Sequence, residues 1–385
     1  LMVYLDNAAT TPVRREVLDA LWPQLTGGFG NPSSHHWVGE AAAATLQEAR
    51  KTVAAVLGCR ATEVVFTSGG TEADNLAIKG IALGSPRGRQ IVTTPIEHEA
   101  VLESCDYLRR LHGFEITMLD PDATGQVDPA QLRELIRPET TLVSVQYANN
   151  EVGTIQPLRD LTAIAAASGV PFHTDAVQAA GWLPLGTAAL GVDALSLSGH
   201  KLGAPQGIGA AFLRRRLAIE PLVHGGGQER GHRSGTENVA GAVALAIALH
   251  LAEAERVDAA SRVAGLRDTF IATVLAGTAS ARLTGHPAER LPGSASFIFP
   301  GTSGEAVLLE LEQRGIVCSS GSACAAGSDE PSHVLTAMGF PAREALTAVR
   351  FTLATGTTAT EARLAAAAVH DAVAAVQLLG SRKIG

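Results

Sequence analysis

From about Val13 to His200, short β-rich runs alternate with helical stretches, and this alternation limits the fold more than any other feature. The runs are Val64-Val65-Phe66, Ile91-Val92, residues 114–118, residues 142–145, residues 171–173 and residues 194–197. Between them the helical period recurs. Val17, Leu18, Leu21 and Leu25 form one stripe; residues 42–57 form another helix with Gly58 as its C-cap; further helices are expected over 72–83, 101–112 and 158–168. Such alternation predicts βαβ units and an α/β fold with a mostly parallel central sheet. Ligands of these sheets sit beyond the carboxyl ends of the strands, so residues that directly follow a strand are the first candidates for function.

The chain has 385 residues, more than one ordinary core of about 100–200 residues holds. After Gly235 a long helical run, 239–275, carries Ala and Leu at helical spacing. Beyond it the rhythm changes to a strand near 295–299, a helix near 305–313, strands near Ile316 and 348–352, and a terminal helix over 360–379. The expected division is a large ligand-binding domain over 16–257 and a smaller α+β domain formed by 1–15 with 258–385. The net charge of −8 and the absence of any Lys/Arg run argue against direct nucleic-acid binding. No uninterrupted apolar stretch suggests a membrane span, and the N-terminus lacks the zones of a signal peptide, so a cytoplasmic location is expected. Cys59, Cys105, Cys318 and Cys324 are sparse and irregularly spaced. They read as free thiols in a reducing compartment, and no metal site is expected from them.

Three strand-end segments carry the chemistry. Thr67-Ser-Gly-Gly-Thr-Glu-Ala-Asp-Asn75 follows a run and opens a helix. Its glycines let backbone N–H groups approach a phosphate at the helix N-terminus, although Thr71 and Asp74 also stand at capping-box spacing. It is neither a Walker loop nor a dinucleotide fingerprint. Asp175 lies at the end of the 171–173 run, in His173-Thr-Asp-Ala-Val-Gln178, and Lys201 ends Ser198-Gly-His-Lys201. Alone, Asp175 is a turn former and Lys201 a solvated lysine. Together they meet the three demands of pyridoxal 5'-phosphate: an amine for the aldehyde, an acid for the pyridine nitrogen and a cup for the phosphate.

In its ordered motifs the chain resembles the cysteine desulfurases, enzymes of the class-V aminotransferase superfamily that depend on pyridoxal phosphate. The motifs are Tyr4-Leu-Asp-Asn-Ala-Ala-Thr-Thr-Pro12, Asn31-Pro-Ser-Ser34, the 67–75 loop, Glu97-His98 and Ala148-Asn-Asn-Glu-Val-Gly153. They continue through the Asp175 and Lys201 segments and residues 225–238 to Ser319-Ser-Gly-Ser-Ala-Cys324 and Val349-Arg-Phe351. The resemblance implies the type I, aspartate-aminotransferase-type fold. It implies that Lys201 holds the cofactor aldehyde and that Asp175 pairs with the pyridinium nitrogen. Gln178 would bond the ring's phenolic oxygen, Asn150 would also hold the cofactor, and His98 would stack on the ring and carry protons. Gly70, Thr71, Ser198 and His200 would cradle the phosphate, with Thr236 supplied by the partner subunit of a homodimer. Asn31 and Arg350 would meet the substrate carboxylate.

Cys324 sits among small residues, Ser-Ser-Gly-Ser-Ala-Cys-Ala-Ala-Gly-Ser, in a segment with little apolar mass to pin it. The resemblance, here to the subgroup with an extended catalytic loop, makes it the thiol that takes sulfur from L-cysteine as a persulfide, leaving L-alanine. The acceptor is then an iron–sulfur scaffold, a tRNA thiolation system or a DNA phosphorothioation system. Two other readings stay open at this point. One is a selenocysteine lyase or another pyridoxal-phosphate enzyme of the same fold; the other is a desulfurase retired to an assembly role.

Overall fold

The computed structural model describes residues 2–84, 86–320 and 330–381. Its strands are β1 (Val3–Tyr4), β2 (Val64–Thr67), β3 (Gln90–Thr93), β4 (Glu115–Met118), β5 (Thr140–Ser144), β6 (Phe172–Asp175), β7 (Ala194–Ser198), β8 (Gly209–Leu213), β9 (Arg282–Thr284), β10 (Ser294–Ile298), β11 (Ile316–Val317) and β12 (Ala348–Thr352). Its α-helices are α1 (Arg15–Thr26), α2 (Trp37–Leu57), α3 (Gly70–Gly84), α4 (Glu99–His112), α5 (Pro129–Leu135), α6 (Leu158–Ala167), α7 (Thr187–Leu190), α8 (Val239–Gly277), α9 (Gly304–Gln313), α10 (His333–Ala337), α11 (Ala342–Ala345) and α12 (Ala359–Ser381).

Seven strands form the main sheet in the order β2-β8-β7-β6-β5-β3-β4. β4, β3, β5, β6 and β7 run parallel, and β8 is antiparallel to both β7 and β2. Since β2 opposes β8, it points the same way as the parallel set. Every strand except β4 is buried along its whole length, which is why these runs show no alternation of buried and exposed residues. β4 lies at the edge and reads exposed at both ends. β8 has no counterpart among the sequence expectations. Its Gly-Ala-Ala-Phe-Leu carries no β-branched residue, so local propensity is silent and the pairing with β2 and β7 decides it.

α1 also differs from expectation in one respect. Its stripe is helical, but only Val17 is buried, while Leu18 is 46% and Leu25 59% exposed. α2 begins earlier than expected because His36 caps it, Nδ1 accepting from the Gly39 N–H at 3.2 Å. It ends at Gly58, whose φ of +62° is the left-handed turn that glycine adopts without strain.

A second core lies around the three-stranded sheet β12-β10-β9 and the β1–β11 pair. Phe270, Phe297 and Phe351 meet there, with ring centroids 5.1 Å (Phe270–Phe351) and 6.1 Å (Phe297–Phe351) apart. Burial of each such ring is worth about 1.5–3 kcal/mol. Val3 pairs with Ile316 and Tyr4 with Val317, so the extreme N-terminus packs with the C-terminal part. α12 is long and apolar enough to cross a membrane over Ala359–Leu379. Here it lies against α8 and α9, with Ala365, Val369, Ala372 and Val373 in this core.

One buried ion pair ties α2 to the 225–238 loop. The Arg50 guanidinium and the Glu229 carboxylate are 2.7 Å apart, and Arg50 Nη1 also donates to the Val64 carbonyl at 2.8 Å. The Phe66 N–H donates to Glu229 Oε2 at 3.0 Å. This anchor holds Glu229 and Arg230 at positive φ, 49° and 57°, a strained turn for residues with a Cβ.

Candidate active site

The parallel strands deliver their following residues to one edge of the sheet. Gly70 and Thr71 follow β2, His98 follows β3, and Gln146 and Asn150 follow β5. Asp175 ends β6, with Gln178 just after it; Ser198 ends β7, with His200 and Lys201 beyond it. These residues, with Arg350 from β12, line a cavity of about 770 Å³. Ten of the thirteen residues expected from the sequence are thus brought together: Gly70, Thr71, His98, Asn150, Asp175, Gln178, Ser198, His200, Lys201 and Arg350. Asn31 and Thr236 are exposed and do not line this cavity. Cys324 lies outside the described residues.

The α3 N-terminus faces the cavity with its free N–H groups, the arrangement that suits a phosphate. Gly70 is required there: a Cβ would stand 2.8 Å from Val177 Cγ2 and 3.4 Å from Ser198 Cβ. The expected alternative, Thr71 and Asp74 as a capping pair, is not what Asp74 does. Its side chain is buried beneath the cavity, in contact with Asp175.

Asp175 Oδ1 accepts from the Val177 N–H at 2.9 Å. Burial raises its pKa, and the nearby His98 and Lys201, together with hydrogen bonds from Val177 and Asp74, pull it back. Lys201 Nζ donates to the carbonyls of Ala8 and Ala9, the latter at 2.6 Å, and Gln178 Nε2 donates to the Ala8 carbonyl at 3.0 Å. The 4–12 segment therefore closes one wall of the cavity through its backbone. His200 is tied to it as well: its ring Nδ1 is 3.1 Å from Thr10 Oγ1, and burial and Lys201 push it down to about 4, so it is neutral.

His98 caps α4, Nδ1 accepting from the Ala100 N–H at 3.0 Å. The neutral ring therefore carries its proton on Nε2 and offers a donor at that atom. Arg350 is held from two sides. Nη2 is 2.8 Å from Asp6 Oδ1 and Nη1 donates to the Asn150 carbonyl at 2.9 Å, while Nε has no hydrogen-bond partner among the described residues. The backbone of Arg350 pairs with Ser319, its N–H donating to the Ser319 carbonyl at 2.7 Å. Glu330 and Pro331 lie on the cavity rim. Both described ends of the segment that bears Cys324 thus stand at this site.

The other cysteines are unsuited to nucleophilic attack. Burial pushes the thiols of Cys59 and Cys105 up to about 12, and that of Cys318 higher still. Glu97 and Glu151 are buried carboxyls beside the cavity for which the sequence assigns no separate role. Their signal lies in tertiary burial alone. Glu97 Oε1 accepts from Thr94 Oγ1 at 2.8 Å and the Gln146 N–H at 2.9 Å, yet burial still pushes it up to about 8. The folded chain therefore keeps a proton that the unfolded chain loses above its ordinary value of 4.5. Stability from this group is full below that value and falls as pH rises towards 8, by up to about 1.4 kcal/mol per pH unit. Glu97→Gln keeps both acceptor contacts and removes the titration. Its Tm relative to the parent chain is expected to rise steadily between about pH 5 and pH 8. An offset that is the same at both ends, measured by thermal denaturation, would contradict a buried protonated Glu97.

The residues fit pyridoxal phosphate by donor set and by shape: an amine, a buried carboxyl and a glycine-bounded helix N-terminus around one cavity. The comparisons with known proteins agree. The class-V aminotransferase profile matches residues 3–364. The chain is 46% identical over 357 residues to "Cysteine desulfurase IscS" of Dictyoglomus turgidum, covering 92% of this chain and 90% of that protein. A solved structure described as a NifS-like protein superposes with a TM-score of 0.90 at 38% identity, covering 96% of this chain and 99% of that one. Another, described as SspA in complex with cysteine, gives a TM-score of 0.81 at 36% identity over 91% of this chain and 98% of that one. With a lysine, two carboxyls and a histidine gathered at the strand ends of this fold, the chain belongs to the class-V aminotransferase family, among its cysteine desulfurases.

Proposed function

We propose that the protein takes sulfur from L-cysteine onto Cys324 as a persulfide, releases L-alanine, and passes the sulfur to an acceptor protein. The observation that carries this reading is the convergence of Lys201, Asp175 and His98 on one cavity, with Glu330 lining it and Ser319 paired through its backbone with the cavity residue Arg350. Cys324 is four residues from Ser320, a reach of at most about 14 Å for extended chain.

When bound, pyridoxal phosphate supplies the electron sink that lets the substrate Cα–H ionise. The protein's residues do the rest. Gly70, Thr71, Ser198 and His200 hold the phosphate, and the Asp175 carboxylate holds the ring-nitrogen proton. Gln178 and Asn150 orient the ring edge. The Lys201 amine would take the Cα proton. His98 returns a proton from Nε2, the atom its capping bond leaves protonated. Arg350, which lines the cavity and whose Nε has no hydrogen-bond partner among the described residues, meets the substrate carboxylate. The Cys324 thiolate attacks the substrate sulfur: an S–S bond forms, the substrate C–S bond breaks, and the carbon skeleton gains the proton that makes alanine.

Asn31 and Thr236 are both exposed and both outside the cavity of their own chain. In the proposed homodimer Thr236 completes the partner's phosphate cup, a role its exposure on its own chain suits. The proposed division into domains at 16–257 and 1–15 with 258–385 draws support from the pairing of β1 with β11 and from the cluster that joins Val3 and Leu5 to Phe297 and Phe351. A reducing cytoplasm suits a thiol that cycles through a persulfide.

The test is mass spectrometry of the purified enzyme after brief exposure to cysteine. The expected result is the mass of one added sulfur, located on the peptide containing Cys324. Addition on Cys59, Cys105 or Cys318 instead, or none with alanine still released, would refute the assignment.

A further inference from the structure

Asp74 of α3 and Asp175 of β6 are buried together in the cavity wall, 1% and 9% exposed, on elements that pack against each other, and the charge of each acts on the other. Two ionised carboxylates in such a place repel strongly, so the pair retains one proton. The surroundings decide which oxygen keeps it. Asp175 faces the positive side of the site: Val177 N–H donates to it at 2.9 Å, and Lys201 and His98 stabilise its charge.

Asp74 has less support: one hydroxyl, Ser196, which also engages His173 at 2.9 Å. Its Oδ1 has no hydrogen-bond partner among the described residues. The imidazole beside it, His173 of β6, is 3.6 Å away at Nε2. That ring is fully buried between Ser144 Oγ of β5 at 2.8 Å and Ser196 Oγ of β7 at 2.9 Å. Burial pushes His173 down to about 3, so it brings no cation. Ser196 also lies against Asp74, and the remaining acid facing it, Glu97, stays protonated at neutral pH.

We propose that Asp74 is a positioning residue that acts through Asp175: it keeps the shared proton, donates it as a hydrogen bond to the Asp175 carboxylate, and so places the pair's single negative charge where a pyridinium N–H is to be met. α3 then serves both ends of the cofactor. Gly70 and Thr71 open it at the phosphate, and Asp74, four residues after Gly70 on the same helix face, lies under the partner of the ring nitrogen. Without this donor a buried Asp175 takes up a proton of its own and loses its charge. The proposal rests on the reading of the cavity as a pyridoxal-phosphate seat, and its first test needs no cofactor.

The cofactor-free full chain, carrying aspartate labelled with carbon-13 at the side-chain carboxyl, is examined by infrared spectroscopy at neutral pH. A protonated-carboxyl band that shifts with the label is expected, and Asp74→Asn should remove it. Glu97 does not respond to this label. No shifted band, or one that survives in Asp74→Asn, would overturn the proposal.

The second test compares dissociation constants of pyridoxal phosphate and of its deaza analogue, which has carbon in place of the ring nitrogen. Asp74→Leu is expected to weaken pyridoxal phosphate by about tenfold to a hundredfold, the range for a hydrogen bond to a charged group. Asp74→Asn, which retains a donor, should recover most of that loss, and the deaza analogue should bind the parent chain and Asp74→Leu alike. An equal loss for both compounds would mark Asp74 as merely structural and overturn the proposal. Failure of the parent chain to bind either compound would overturn the cofactor reading, and with it the role towards the ring, while the infrared band reports separately on where the proton sits.

Discussion

Cys324→Ala is expected to bind pyridoxal phosphate as the parent chain does and to form no persulfide from cysteine. Among the described residues, the cavity is lined by residues from Gly70 to Lys201 that the substitution leaves unchanged. Sulfide release in the presence of a thiol reductant should fall by about two orders of magnitude or more, because a diffusing thiol must replace one held at the reacting sulfur. The two quantities separate the roles: the visible absorption of the bound cofactor reports the seat, and sulfide with alanine reports turnover. Release at the parent rate would show that a different group accepts the sulfur. The remaining thiols are poor substitutes, since burial holds Cys59 and Cys105 near 12 and only a thiolate attacks.

Lys201→Ala should lose the visible band that marks a covalently held cofactor, and its turnover should fall by at least the 10²–10⁴-fold, roughly, that a positioned acid–base group contributes. One structural complication needs its own control. Lys201 Nζ also binds the carbonyls of Ala8 and Ala9, so the alanine variant loosens the 4–12 wall of the cavity. Lys201→Arg keeps a cationic donor for those carbonyls but has no amine able to condense with an aldehyde. The band should vanish in both variants, with little loss of Tm in the arginine form. A visible band retained in Lys201→Arg would mean that another group holds the aldehyde.

The strand–helix alternation and the residues placed directly after strands were legible in the chain because both are local. A run such as Val64-Val65-Phe66 must be buried on two faces, and a parallel sheet sends every following residue to the same edge. The resemblance added roles to those positions. What stayed hidden was non-local. β8, poor in β-formers, exists because β2 and β7 flank it. His36 and His98 act as helix caps, which depends on where the backbone turns. Asp74 looks like half of a capping box in the sequence, yet the packing of α3 on β6 and β7 directs it under Asp175.

By itself, then, the order of residues determined the alternation of strands and helices, that the sheet is mostly parallel, and which side chains stand at its functional edge, since these follow from periodicities of two and 3.6 residues and from chain direction. Only the tertiary structure decided the protonation and partners of those side chains. Charge in a folded protein is set by burial and by neighbours remote in sequence. Burial under α3 and the sheet comes first for Asp74, Glu97, Asp175 and His173, and for the three carboxyls neighbours remote in sequence add to it or offset it.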